Sequence, residues 1–132
     1  MKRNPADIQF SFFIRLRDSD DDGIGQCCTC KKFGHVKYMD NGHYVGRGHQ
    51  ATRYNEQNCS LQCKDCNKWE EGYKVNHRAH LVKLHGEKTV LLLEASKHCT
   101  VKRSKNDIKL IADYYKKKTN ELLKLKNIEK WW

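Results

Sequence analysis

The chain has 132 residues, which fits one domain. A hydrophobic fraction of 38% and a mean hydropathy of −0.91 allow only a small core, and no run approaches the roughly 18 apolar residues of a membrane span. The formal net charge of +10 favours a polyanionic partner, most simply nucleic acid, and the first residues show no secretory leader, so an intracellular protein is expected.

Residues 4–17 read as a helix. Asn4 can cap it, Pro5 suits its first position, and Phe10, Phe13, Ile14 and Arg17 recur at helical spacing with Phe12 and Leu16 beside them. Asp18-Ser19-Asp20-Asp21-Asp22-Gly23 then matches the opening of a calcium loop. The bidentate glutamate such a loop requires would fall on Thr29, so the stretch reads as a solvated acidic turn. Ile24 to Cys28, Phe33 to Tyr38 and Met39 to Val45 read as short strands, with a bend or bulge at Asp40-Asn41-Gly42. Residues 46–57 are polar and loop-like, and Asn58 to Gln62 leads into Cys63. A short helix follows through Lys64, Asn67, Lys68 and Trp69, with Gly72 as its break. Tyr73 to His85, closed by Gly86, and Glu87 to Ser96 read as two more helices. Ser104 and Asp107 form a capping box for a last helix with the stripe Ile108, Ile111, Ala112, Tyr115, Leu122 and Leu123. Trp131-Trp132 either pack back or fray. The expected division is an N-terminal helix at 4–17, a core at 24–72 and a helical extension at 73–132, within a single α+β domain.

The cysteines carry the strongest signal. Cys27-Cys28-Thr29-Cys30 and Cys63-Lys64-Asp65-Cys66 are two knuckles whose four thiolates, from Cys27, Cys30, Cys63 and Cys66, form a ligand set for structural Zn2+. The two-residue spacer lets one tight turn aim both sulfurs at one ion, which favours Cys27 over its neighbour Cys28. An odd total of seven cysteines argues against disulfides. Cys59 and Cys99 read as small core residues.

A second donor set lies inside the loop that zinc would close. Asp40 and Asn67 offer oxygens suited to Mg2+ or Mn2+. His43 can take a proton from water near neutral pH, Asn58 can hydrogen-bond its ring, and His49 is a competing base. Asn67 opens a helix, whose N-terminal N–H groups favour phosphate. Arg47, Arg53, Lys64 and Lys68 flank this centre and read as DNA phosphate clamps or as plain surface charge. Lys116-Lys117-Lys118 divides evenly between a solvated face and phosphate contact. Trp69 and Tyr73 are expected to pack under the helix, and His35, His77, His80, His85 and His98 to be surface or packing residues.

Phe10 to Arg17 as F-S-F-F-I-R-L-R, then C-x-T-C at Cys27, D-x-G-H-Y-x-x-R at Asp40, A-T-R-Y-x-E-x-N at Ala51 and Q-C-x-x-C-N at Gln62 resemble the bacteriophage NinG/Rap recombination proteins. The similarity continues through His85-Gly86-Glu87 into the lysine-rich last helix. The resemblance implies a ββα-metal, or His-Me finger, core stapled by a four-cysteine zinc site. It also implies a metal-dependent DNA endonuclease of phage recombination, acting in the host cytoplasm on branched DNA such as Holliday junctions and D-loops. It makes His43 the general base, Asn58 the central asparagine, and Asp40 and Asn67 the ligands of a catalytic Mg2+ or Mn2+. One departure is that the acidic residue stands three before the histidine rather than directly before it. Both offsets share strand parity, which a bulge at Gly42 would change. A second is Asn67 in place of the last histidine. The competing reading is a non-catalytic zinc module that binds DNA or recombination proteins, and a third is a nicking enzyme without structure preference. Cutting two strands suggests a homodimer, with the last helix as a candidate interface.

Overall fold

The computed structural model describes residues 2–132 as an α+β chain of five helices and two small sheets. Helix α1 spans Pro5–Arg17 and is held at its start by a reciprocal cap: Asp7 N–H donates to Asn4 Oδ1 and Asn4 N–H to Asp7 Oδ2, both at 2.8 Å. Strands β1 (Ile24–Gln26) and β2 (Phe33–His35) pair antiparallel. The first cysteine knuckle is the turn between them, closed by Cys27 N–H on Lys32 O at 2.8 Å and by Lys31 at a φ of 68°. A 3₁₀ turn at Val36–Tyr38 leads into β3 (Met39–His43). β3 pairs with β4 (Cys59–Cys63) in an unbroken register from Met39↔Cys63 to His43↔Cys59. No bulge interrupts it at Gly42, whose added Cβ would lie 2.3 Å from the Gln62 amide oxygen.

After β4 come α2 (Lys64–Lys68), α3 (Glu70–His85), α4 (Glu87–Ser96) and α5 (Lys105–Lys126). The expected break at Gly72 lies instead at Trp69, an extended residue between α2 and α3. Trp69 and Tyr73 do not pack under the helix. They are 61% and 36% exposed, because the buried side of α3 is carried by His77 and Leu81. Gly86 ends α3 at a φ of 89°, a conformation in which glycine is free of Cβ strain.

Among the described residues, three apolar clusters hold these elements. Phe10, Phe13 and Ile14 of α1 meet Cys59 of β4 and Tyr115 of α5. Cys27, Val36, Met39, Leu61 and Cys66 form a second cluster around the knuckles, and Val45, Leu81, Val90 and Leu93 a third between α3 and α4. Cys59 is a core residue as expected, whereas Cys99 is exposed in the α4–α5 connection. The end of the chain packs back. Lys126 Nζ donates to Leu16 O at 2.7 Å and Ser19 O at 2.5 Å, and the Trp132 ring stacks on Phe12 at 3.8 Å. Among the described residues no helix is long and apolar enough to cross a membrane.

Candidate functional site

The β3–β4 hairpin positions both candidate centres. At its Met39–Cys63 end the two knuckles meet, and one sulfur each from Cys27, Cys30, Cys63 and Cys66 lies within 4.8 Å of the others. A tetrahedral ion with Zn–S bonds of about 2.3 Å needs sulfurs roughly 3.8 Å apart. Cys30 and Cys63 stand at 3.8 Å. No disulfide is formed among the seven cysteines. Cys28 takes no part: its N–H donates to Leu61 O, and burial with the neighbouring Cys27 pushes its thiol up to about 12. Burial also pushes Cys27 up, but Thr29 Oγ1 at 3.3 Å and nearby backbone N–H groups draw it down to about 6. Cys63, by contrast, is pushed up to about 12 by burial. A bound divalent cation is what lets such a set ionise together, and four converging sulfurs suit zinc.

Beside this cluster a cavity of about 450 Å3 opens between α1, β3, α2 and α3. Asp40, Asn41, His43, Arg47 and Asn67 line it, with Arg3, Asp7, Ser11, Gly46 and Lys74. Asp40 accepts from Asn67 Nδ2 at 3.1 Å and from Lys64 Nζ at 2.9 Å, so the two proposed ion ligands are neighbours. Asp40 and His43 leave an unbulged strand at odd separation, yet both border the cavity. α2 has only five residues, too few for the dipole argument made for phosphate at its N-terminus.

His43 Nε2 lies 2.9 Å from Arg53 O. A carbonyl only accepts, so Nε2 carries the proton and the lone pair of the neutral ring is on Nδ1. Burial pushes the ring's proton affinity down, to about 4, against the pull of Arg53 O and Asp7. Phe10 stands beside it, with ring centroids 6.3 Å apart.

Asn58 is fully buried, and its side chain makes its hydrogen bonds to backbone rather than to the histidine ring. Its Oδ1 accepts from Val45 N–H at 2.8 Å, and its Nδ2 donates to Val45 O at 2.9 Å and Thr52 O at 3.3 Å. It ties the two ends of the β3–β4 loop, replacing the expected ring contact. Of the four cations expected on DNA, Arg47 lines the cavity, Lys64 pairs with Asp40, and Lys68 is exposed on α2. Arg53 is different. It is 4% exposed, and its Nε and Nη2 donate to the Asp7 carboxylate at 2.9 and 2.5 Å. Burial alone would raise Asp7, but Arg53 and Asn4 N–H hold it below the usual carboxylate range. His49 Nδ1 lies 3.2 Å from Lys97 O, and the residue is outside the cavity lining. Lys116 and Lys117 line a shallow groove on α5 shared with Asp113 and Glu121.

Arg3, Asp7, Ser11 and Lys74 were not singled out from the sequence. They come to the cavity from α1, the residues just before it and α3, far along the chain from the hairpin, and Lys74 Nζ donates to His43 O at 2.6 Å. Only Asp7 carried a local signal, as the third residue of a capping box, and that signal concerns the helix rather than the cavity.

A family model described as NinG, Bacteriophage Lambda NinG protein, matches residues 4–126. Comparison with curated proteins and with solved structures found no match.

Proposed function

As the chain belongs to the bacteriophage Lambda NinG protein family, we propose that it is a DNA endonuclease of phage recombination, built on a His-Me finger core and hydrolysing phosphodiester bonds in branched DNA. The observation that carries this reading is the convergence of Asp40, His43 and Asn67 on one cation-bordered cavity next to a four-cysteine cluster. An antiparallel hairpin followed directly by a short helix is the order that a ββα-metal core needs.

In this reading His43 Nδ1 removes a proton from water. Burial keeps the ring neutral across the neutral pH range, with the Nδ1 lone pair available, and also lowers its basicity. Arg53 O holds Nε2–H, so the ring cannot present the wrong nitrogen. Asp40 and Asn67 are the residues that would hold a divalent ion, and Lys64 must leave Asp40 for that to happen. Mg2+ or Mn2+, when bound, neutralises charge on the phosphate and on the leaving oxygen. Arg47 and Arg3 border the same space and would bind the phosphates beside the cut. The four cysteines hold zinc as a structural staple and take no chemical part.

Cleavage of a labelled four-way junction and a matched linear duplex, with Mg2+, tests the proposal in wild type and His43→Ala. Zinc content is measured in both proteins. Loss of the general base is expected to lower junction cutting by about a hundred- to ten-thousandfold with zinc retained. Equal cutting of both substrates would remove the branch preference. DNA binding without cutting, with any divalent ion, would leave the zinc-stapled binding module.

A further inference from the structure

We infer that Asp7 and Arg53 are positioning residues for His43: their buried ion pair locks the Arg53 carbonyl against Nε2, and so fixes which ring nitrogen faces the chemistry. The inference rests on the reading of His43 as the base. The chain of contacts begins at the first turn of α1. Asp7 caps that turn through Asn4 N–H and receives the Arg53 fork on both carboxylate oxygens. The two side chains are 4% and 5% exposed. A bidentate guanidinium–carboxylate pair fixes orientation as well as distance. The main chain of the same Arg53 then accepts Nε2–H at 2.9 Å.

Turn hydrogen bonds within the loop, Arg53 N–H on Gln50 O at 3.4 Å and Asn55 N–H on Thr52 O at 3.1 Å, shape the main chain on either side of that carbonyl. Residues 44–55 form neither helix nor strand. Asn58 ties Val45 and Thr52 but makes no bond to Arg53 O. The ion pair with Asp7 belongs to the same residue as the carbonyl, and it anchors the loop to a capped helix. Stability alone does not call for an ion pair here, because apolar residues of similar size commonly serve a buried site as well. An apolar pair would lack direction, and direction is what a single tautomer requires.

The test reads the tautomer by long-range 1H–15N NMR of the histidine rings, on the zinc-loaded protein, beside junction cutting. In wild type, His43 is expected as the Nε2–H form. In Asp7→Leu/Arg53→Met, which keeps volume and removes direction, a substantial Nδ1–H population is expected, with cutting lowered about tenfold. Arg53→Lys retains the charge on Asp7 but not the fork, and is expected between the two. It also serves if the double variant fails to load zinc. A His43 ring that stays wholly Nε2–H in both variants overturns the inference, even if cutting falls, as does a wild-type ring in the Nδ1–H form. The expected tautomer response in a protein that cuts no DNA would sustain the positioning role and remove the nuclease reading.

Discussion

The two ends of the β3–β4 hairpin are held in different ways. At the Met39–Cys63 end, apolar residues and four converging sulfurs surround the strands, and one ion would join turns that lie far apart in sequence. At the His43–Cys59 end, the loop is held by hydrogen bonds: Asn58 across Val45 and Thr52, and Arg53 onto Asp7. With zinc bound, the first arrangement would draw most of its energy from one bond set. The second supplies less energy but sets directions, which is what a proton-accepting ring needs. The rigid end should therefore govern whether the protein folds, and the polar end how well the cavity is formed.

The largest effect should follow from breaking the knuckles. Structural zinc contributes about 10–16 kcal/mol in small zinc-binding peptides, as much as or more than the roughly 5–15 kcal/mol by which a whole domain is stable. Cys63→Ser is expected to abolish zinc retention and cooperative unfolding together, read by metal analysis and circular dichroism. Cys28→Ser should keep zinc, since Cys28 lies outside the sulfur cluster. A zinc-free Cys63→Ser protein that still melts cooperatively would show that the polar end can hold the fold by itself.

A smaller loss is expected at the other end. Asn58→Asp keeps the acceptor for Val45 N–H but turns a carboxylate oxygen toward Val45 O and Thr52 O. Two buried carbonyls facing a charge should cost on the order of 3 kcal/mol, seen as a shifted urea midpoint with zinc content unchanged. A midpoint equal to wild type would mean that the loop is anchored elsewhere.

These two ends were unequally legible in the sequence. Cys27, Cys30, Cys63 and Cys66 announce themselves because spacing within each knuckle is local and the ligand chemistry is narrow. Helices α1 and α5 were equally plain, since Asn4-Pro5 and Ser104 with Asp107 are local caps. The polar end depends on contacts between distant residues, so its candidates were named but their partners were not. The sequence suggests the histidine ring for Asn58 and phosphate or solvent for Arg53, whereas Asn58 binds the Val45 and Thr52 backbone and Arg53 binds Asp7. Nothing in a run of polar residues distinguishes an arginine that reaches outward from one that folds inward onto a helix 46 residues away. The break at Trp69 was missed because Gly72 is the stronger helix breaker by propensity, and tertiary context overrode it.

The smallest effect at neutral pH should come from His77, and its growth with acid sharpens the contrast between the ends. His77 lies on α3 under Tyr44, with ring centroids 5.8 Å apart, just past the His43 end of the hairpin. It is fully buried, and neither ring nitrogen has a hydrogen-bond partner among the described residues. Burial, together with Lys74, pushes its proton affinity down to about 3. The folded state therefore holds His77 neutral while the unfolded chain protonates it below about pH 6.5. The unfolded state then binds more protons, so the associated stability is complete above pH 6.5 and is lost as pH falls toward 3. His77→Leu removes the unpaired nitrogens and this linkage together. It should unfold at the same or slightly higher urea than wild type at pH 7, by about 1 kcal/mol at most. Below pH 6.5 the gap in its favour should widen by about 1.4 kcal/mol per pH unit. Acid also protonates the cysteines, but that loss is common to both proteins and cancels in the difference. A gap that stays constant from pH 7 to 5 would mean that His77 takes up its proton in the folded state, and hence that the polar end admits charge more readily than its burial implies.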